Sequence, residues 1–171
     1  YMTLRDPKTK LDLWVLPLQG DRKPIPLLST EFGESDGQFS PDMRWVAYES
    51  DESGRAEIYV RGFSRTSGGI SSEAGGKWMV SNGGGTLPRW RGDGKELYYW
   101  DPDGKVMAVE VTAGTAFQAG TSKLLFQAPS GAGSSWGVAA KGKRFLLLAP
   151  AAENSTTQFN IILNWTSLLN K

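Results

Sequence analysis

The feature that most constrains this chain is a long unit that occurs more than once along its 171 residues. The stretch GQFSPDMRWVAYESDESGRAEIYVRGF covers 37–63, and the related LPRWRGDGKELYYWDPDGKVMAVEV covers 87–111. A third related stretch covers 136–165. The equivalent turn residues Asp42, Asp93 and Lys141 are 51 and 48 positions apart. A supersecondary unit that recurs with such a period is typical of a stacked or radial repeat fold.

Composition narrows both the fold class and the chemistry. The 21 Gly and 9 Pro indicate many turns, and runs of helix-forming residues at helical period are missing, so an all-β class is favoured. The chain has no Cys and no His, which excludes disulfides, Cys/His zinc sites and Ser-His-Asp or Cys-His catalysis. The formal net charge of +1 gives no basis for a nucleic-acid partner. We expect no cofactor, no metal and no catalytic residue.

Each copy of the unit is predicted to form four short antiparallel strands. The second strands, 45–48, 97–100 and 145–148, are apolar on consecutive residues. A sheet with one wet face alternates apolar and polar residues, so we expect both faces of these strands to be covered. The fourth strands are shorter and more polar, as outer edges are. Small four-stranded sheets packed between neighbours are the blades of a β-propeller.

The predicted organisation is a single domain over 1–171, a partial WD40-like or TolB-like β-propeller of about three and a half blades. The blades are a partial one at 1–30, complete ones at 36–82 and 86–127, and a partial one at 134–166. The strands of the complete and last blades are predicted at 38–40, 45–50, 57–61, 77–81, 87–90, 96–100, 106–111, 123–126, 135–139, 144–149 and 158–165. The Gly/Ser-rich connection 64–76 is predicted to be a mobile loop.

The turn between the first and second strands has a recognisable chemistry. Ser40-Pro41-Asp42-Met43 and Arg91-Gly92-Asp93-Gly94 fit a type I turn followed by a left-handed residue. Met43 stands where Gly would be easiest, so we predict a positive φ there and a strain of roughly 1 kcal/mol.

These residues resemble a known family. FSPDMRWVAYESDESGRAEIYV resembles the TolB-type, WD40-like propeller repeat, in which an (F/W)-S-P-D-G-(K/R) turn precedes an apolar strand and a (D/E)-(I/L)-(Y/W)-V strand. DLWVLPL, RWRGDGKELYYW and FNIILNW are similar to the last blades of propellers C-terminal to bacterial membrane-anchored serine/threonine kinases. The departures are Met43 for the turn Gly, Arg91-Gly92 for Ser-Pro, and Ala139-Ala140-Lys141 for Ser-Pro-Asp.

The resemblance implies a parent ring of six or seven blades, of which this chain is a part. It implies an extracytoplasmic location, periplasmic or at the cell surface, and no membrane contact by this part of the protein. Three and a half blades leave two blade faces bare. We therefore expect self-association or packing against the missing blades.

The stretch 31–57 is acidic, with eight acids against Arg44 and Arg55. In a blade, the loop before the first strand and the hairpin between the second and third lie on one rim. Five acids are predicted to converge there beside Arg55, as Ca²⁺ ligands or as a patch for a cationic partner. No EF-hand or RTX spacing supports a metal, and the alternative is a solvated rim without a ligand. The five acids are Glu31, Glu34, Asp36, Asp51 and Glu52.

Two further motifs carry a structural and a functional interpretation. Trp90, Tyr98, Tyr99 and Trp100 are either a stacking platform or packing between blades, and the inner-strand position favours packing. The sequence Asp101-Pro102-Asp103-Gly104 is either an ion-binding turn or an ordinary hairpin turn, and its Pro-Asp-Gly pattern is fully explained by the hairpin.

The sequence predicts a non-catalytic binding or sensor module for a protein or small-molecule ligand. Binding is expected on the loops 31–37, 51–55, 82–86 and 130–135, held by a rigid scaffold. The alternative is the accessory propeller of a serine hydrolase of the prolyl oligopeptidase type, which gates access to a separate catalytic domain.

Overall fold

The computed structural model describes residues 2–6, 8, 10–66, 69–71, 76–113, 116–139 and 141–150. These residues form antiparallel β-sheets and turns, and none of them lies in a helix, so the predicted all-β class is confirmed. It follows that the described part of the chain has no helix that spans a membrane.

The first two sheets follow one another along the chain. The first sheet has the order β1 (Met2–Asp6), β2 (Lys10–Val15), β3 (Ile25–Leu28). The second begins with β4 (Glu34–Phe39), β5 (Trp45–Ser50) and β6 (Glu57–Gly62). A separate hairpin of β7 (Ser64–Thr66) and β8 (Gly69–Ser71) comes next, and β9 (Lys77–Met79) then returns to pair with β6.

The third and fourth sheets continue this order. The third sheet contains β10 (Thr86–Trp90), β11 (Glu96–Trp100) and β12 (Lys105–Ala113), and both β13 (Phe117–Ala119) and β14 (Lys123–Gln127) pair with β12. The fourth sheet consists, in the described residues, of β15 (Trp136–Val138) and β16 (Phe145–Leu147). Each copy of the sequence unit therefore gives one sheet.

The strand predictions hold where the apolar signal is continuous and fail where it is absent. The strands predicted at 45–50 and 96–100 are confirmed as β5 and β11. The loop prediction for 64–76 is wrong at β7 and β8, because backbone pairing tolerates Gly and Ser. Strand β13 was not predicted. The predicted strand 158–165 lies outside the described residues.

Hydrophobic clusters fill the spaces between successive sheets. Val46 and Tyr48 of β5 pack with Leu13 and Leu28 of the first sheet. Trp45 and Ala47, on the opposite face of β5, pack with residues of β10, β11 and β12. The two faces of β5 are therefore both buried, as predicted.

Strand β11 is covered in the same way, and β16 is not. Leu97 and Tyr99 pack toward the second sheet, whereas Tyr98 and Trp100 pack toward Trp136 of the fourth. Leu146 in β16 is 78% exposed and the adjacent Leu148 is 63% exposed. The prediction of two covered faces is thus wrong for this strand, because no described sheet follows it.

Indole hydrogen bonds join the first strands of neighbouring sheets. Trp90 Nε1 in β10 donates to the Gln38 carbonyl in β4 at 3.1 Å, and Trp136 Nε1 in β15 donates to the Leu87 carbonyl in β10 at 3.1 Å. Both acceptors lie at register shifts, and at these shifts Asp36 and Leu87 have φ values of +50° and +56°.

The predicted turn geometry is confirmed. Met43, Gly94 and Gly142 occupy equivalent positions with φ values of 57°, 73° and 66°. The Met43 amide donates to the Ser40 carbonyl at 2.9 Å, and Asp42 Oδ1 accepts from the Arg44 amide at 3.2 Å.

Candidate functional site

The candidate site lies at one end of the strands, which we call the loop edge. It comprises the loop 30–33, the turn 51–55, the loop 82–85 and the turn 101–104. Successive hairpin turns of an antiparallel sheet alternate between its two ends. The turn after β5 and the turn after β11 therefore lie at the same edge, and the turns after β4 and β10 lie at the opposite one.

Asp51 holds two segments of the loop edge together. Its Oδ2 lies 2.6 Å from Lys10 Nζ of the first sheet, and its Oδ1 accepts from the Gly33 amide at 2.9 Å. The hydrogen bond from Lys10 holds the pKa of the Asp51 carboxyl below its usual range. Asp51 therefore carries a negative charge that an ammonium group already neutralises.

Glu34 differs from the other predicted acids in being buried. Its side chain accepts a hydrogen bond from the Thr30 hydroxyl, but Oε2 has no hydrogen-bond partner. Only 3% of the residue is exposed. Burial raises the pKa of the Glu34 carboxyl, and the charges of Asp12 and Glu52 raise it further.

The remaining predicted residues are distributed along the edge. Glu52 pairs with Lys77 at 2.6 Å, and Arg55 pairs with Glu57 at 3.1 Å. Glu31 is exposed, and the half-buried Asp36 lies at the register shift of β4. Asp51, Glu52 and Arg55 are therefore engaged in three separate ion pairs. Among the described residues, no three acids are placed to hold a metal ion.

The half-buried Glu49, in the middle of the acidic stretch, also has a pKa above that of an ordinary carboxyl. Burial raises its pKa, and the nearby charge of Asp36 contributes in the same direction. The hydrogen bond from the Leu87 amide opposes this effect. The pKa of Glu49 is therefore raised mainly by its position beside the third sheet, partly out of contact with water.

A buried carboxylate fixes the loop 82–85. Glu57, at the start of β6, is 1% exposed and accepts hydrogen bonds from the Ser81 hydroxyl and from the amides of Gly83 and Gly84 at 3.0 and 2.8 Å. Ser81 Oγ in turn accepts from the Ile58 amide at 2.7 Å. Amides at two successive positions converge on one carboxylate, so the loop has a defined shape.

A cleft of about 510 Å³, which we call the polar cleft, opens between this loop and the turn after β11. Tyr99 lies in its lining, with its hydroxyl 2.7 Å from Ser122 Oγ, and burial raises the pKa of this Tyr. At Gly84, where φ is +108°, a Cβ would collide with the Pro102 ring. The polar side chains that line the cleft are Asn82, Tyr99, Asp101, Asp103, Thr121 and Ser122.

The turn 101–104 also borders a second cleft, of about 400 Å³. Gln127 Nε2 donates to the carbonyls of Asp103 and Gly104 at 3.2 and 3.1 Å, and 130–132 completes the lining. The predicted loops 82–86 and 130–135 thus contribute to two clefts that share one turn. The sequence identified this turn, but its position between the clefts depends on the packing of the sheets.

The aromatic residues form packing, as the inner-strand position indicated. Trp90, Tyr98, Tyr99 and Trp100 are all buried between sheets. This burial supports packing between the sheets over a stacking platform.

Comparison with known proteins adds no family assignment. No protein-family model matches the chain, and no curated protein matches its sequence.

Proposed function

We propose that this chain is part of a β-propeller that binds a ligand at the loop edge and performs no catalysis itself. Three observations support the propeller assignment: one sheet per repeat, hydrophobic packing between successive sheets, and indole hydrogen bonds between their first strands. The resemblance to TolB-type repeats supports it independently. The proposed parent is a kinase-linked bacterial protein with this part outside the cytoplasm.

The observation that carries the binding function is the polar cleft with its fixed walls. Glu57 anchors one wall, and the Asp101-Pro102-Asp103 turn forms another, with Asp101 Oδ1 accepting from the amides of Asp103 and Lys105 at 2.9 and 2.8 Å. Because these walls are held before any ligand arrives, little ordering free energy is lost on binding.

The lining favours a small polar ligand or a polar loop of a partner protein. Lys105 Nζ lies 2.6 Å from Asp103 and 3.7 Å from Asp101, so its positive charge offsets part of the charge of the two acidic groups. Selectivity then depends on hydrogen bonds to the exposed Asn82 and Thr121 side chains and to Ser122.

A thermal-shift screen tests this function. The chain is heated with a panel of monosaccharides, amino acids and short uncharged peptides, and we expect at least one compound to raise the Tm. Asn82→Ala and Thr121→Val should abolish that rise, whereas the control Thr3→Val in β1 should retain it. A panel without effect, or a rise that survives both cleft substitutions, contradicts the proposed site.

The context of the parent protein has its own test. Reading the coding sequence upstream of residue 1 should reveal a kinase domain followed by a membrane-spanning segment. A hydrolase domain with a G-x-S-x-G nucleophile motif would instead favour the alternative, a gating propeller of the prolyl oligopeptidase type.

A further inference from the structure

A larger cleft, which we call the turn cleft, lies at the edge opposite the loop edge. Its volume is about 840 Å³. The equivalent turns that follow β4 and β10 form two of its walls, and the far end of β12 forms the third. The sequence of these turns indicates a structural role only.

The floor of the turn cleft is apolar. Trp45, Trp90 and Val111 contribute to it, and all three belong to the core between the second and third sheets. The Trp45 ring packs on Trp78 and Phe117 with ring centroids 5.5 and 5.4 Å apart. A well-packed aromatic floor suits an apolar anchor side chain of a binding partner.

One polar group in this floor has no partner. Trp45 Nε1 is buried without a hydrogen-bond acceptor, whereas Trp90 Nε1 donates to the Gln38 carbonyl. An indole nitrogen donates only, so what it lacks is an acceptor such as a carbonyl oxygen. Because Nε1 is buried, an acceptor reaches it only if the cleft wall shifts on binding.

The rim of the turn cleft is acidic. It carries Asp42, Asp93, Glu96 and Glu110 against Arg91 and Lys95. Arg91 is already engaged, with Nε 2.6 Å from Asp93 and Nη1 3.0 Å from Glu96. Glu110 is paired with Lys123, whose Nζ lies 2.9 Å from its Oε1. Four acids therefore face three bases, and the remaining excess of one negative charge complements a cationic partner.

We propose that the turn cleft binds an extended peptide segment of a partner protein, with an aliphatic side chain flanked by Arg or Lys. The aliphatic group would occupy the aromatic floor, a main-chain carbonyl would accept from Trp45, and the basic side chains would face the acidic rim. This surface is separate from the polar cleft, and the proposal does not depend on a ligand there.

The test uses the ¹⁵N-labelled chain and two peptides, Ac-Gly-Arg-Leu-Arg-Gly-amide and Ac-Gly-Glu-Leu-Glu-Gly-amide. The indole resonance of Trp45 is assigned with Trp45→Phe. The basic peptide should move that resonance and the acidic peptide should not. Glu110→Lys should weaken binding of the basic peptide by about three- to tenfold at low salt, the effect of a few exposed charge contacts.

The matched control is Asp21→Lys, the same charge reversal at an exposed position outside the cleft. It should leave the affinity unchanged. The proposal is overturned if the basic peptide moves no indole resonance at millimolar concentration, or moves only those of other tryptophans. It is also overturned if the acidic peptide binds equally well, or if Asp21→Lys weakens binding as much as Glu110→Lys.

Discussion

At Met43 the backbone takes a conformation that its side chain opposes. The φ of 57° places a non-glycine residue in the left-handed region, and the side chain is half exposed, so it gains little from packing there. Met43→Gly removes the clash between Cβ and the backbone, and we expect a gain of about 1 kcal/mol in the free energy of unfolding. Thermal and urea denaturation measure it.

Met43→Ala separates backbone strain from loss of the side chain, since alanine keeps the Cβ that opposes a positive φ. It should leave stability close to that of the native chain. If Met43→Gly leaves the Tm unchanged or lowers it, strain at this turn is refuted.

Glu34 predicts a pH dependence with a definite sign. Burial raises the pKa of its carboxyl above the ordinary value of 4.5. A raised pKa means that the folded state favours the protonated form, so this residue's contribution to stability is greatest below pH 4.5 and falls as the pH rises through the folded-state pKa. Glu34→Gln should therefore raise the Tm at pH 7 by a few degrees and have little effect at pH 3.

The exposed Glu31→Gln is the matched control, because it removes the same charge three positions away. Its effect on the Tm should be small at both pH values. If Glu34→Gln lowers the Tm at pH 7, the carboxylate makes interactions that stabilise the fold by more than the burial of its charge costs, which contradicts the prediction.

These two residues mark what the sequence predicts at this scale. The conformation of Met43 follows from its place in a local turn pattern. The burial of Glu34 does not, because the residues around it, Asp12 and Glu52, come from a different sheet and a different turn. The sequence of 31–57 gives the number of acidic residues, but it does not show which of their side chains is buried.

At the scale of the strands, indole hydrogen bonds join the first strands of neighbouring sheets. Trp136→Phe removes the donor to the Leu87 carbonyl and keeps most of the aromatic packing. An acceptor left without its donor is costly, and we expect a loss of about 1–2 kcal/mol in the free energy of unfolding.

Trp100→Phe provides the comparison. Trp100 is 7% exposed, as Trp136 is, but its Nε1 has no hydrogen-bond partner. The same substitution there loses no hydrogen bond and should cost about 1 kcal/mol less than Trp136→Phe. Equal losses in urea denaturation would mean that the indole bond contributes nothing between these sheets.

Strands were predictable from the sequence where a continuous run of apolar residues indicates that both faces of the strand are buried. The apolar run of β5 requires a neighbour on each side, and the structure provides both. The hairpin of β7 and β8 is held by backbone pairing of Ser-Arg-Thr with Gly-Ile-Ser, and such short polar strands leave no periodic apolar pattern. The ion pairs of the predicted acids were not predictable either. Lys10 and Lys77, which pair with Asp51 and Glu52, lie on strands that are distant from them in the sequence.

At the scale of the whole molecule, the order of the sheets determines which sheet face is left exposed to solvent. Each interior sheet is covered on both faces, whereas Leu146 and Leu148 expose an apolar patch on the fourth sheet. Such a patch drives association when nothing packs against it. We expect the purified chain to self-associate in a concentration-dependent way, measured by light scattering and sedimentation velocity.

A paired substitution tests whether this patch is responsible. Leu146→Lys with Leu148→Lys places two charges on the open face and should shift the chain toward monomer. Leu18→Lys with Leu124→Lys changes two other exposed leucines outside the fourth sheet and should leave the association intact. A chain that is monomeric before any substitution would contradict the proposal that two blade faces of this propeller part are bare. Association that survives charges at 146 and 148 but not at 18 and 124 would move the contact away from the fourth sheet.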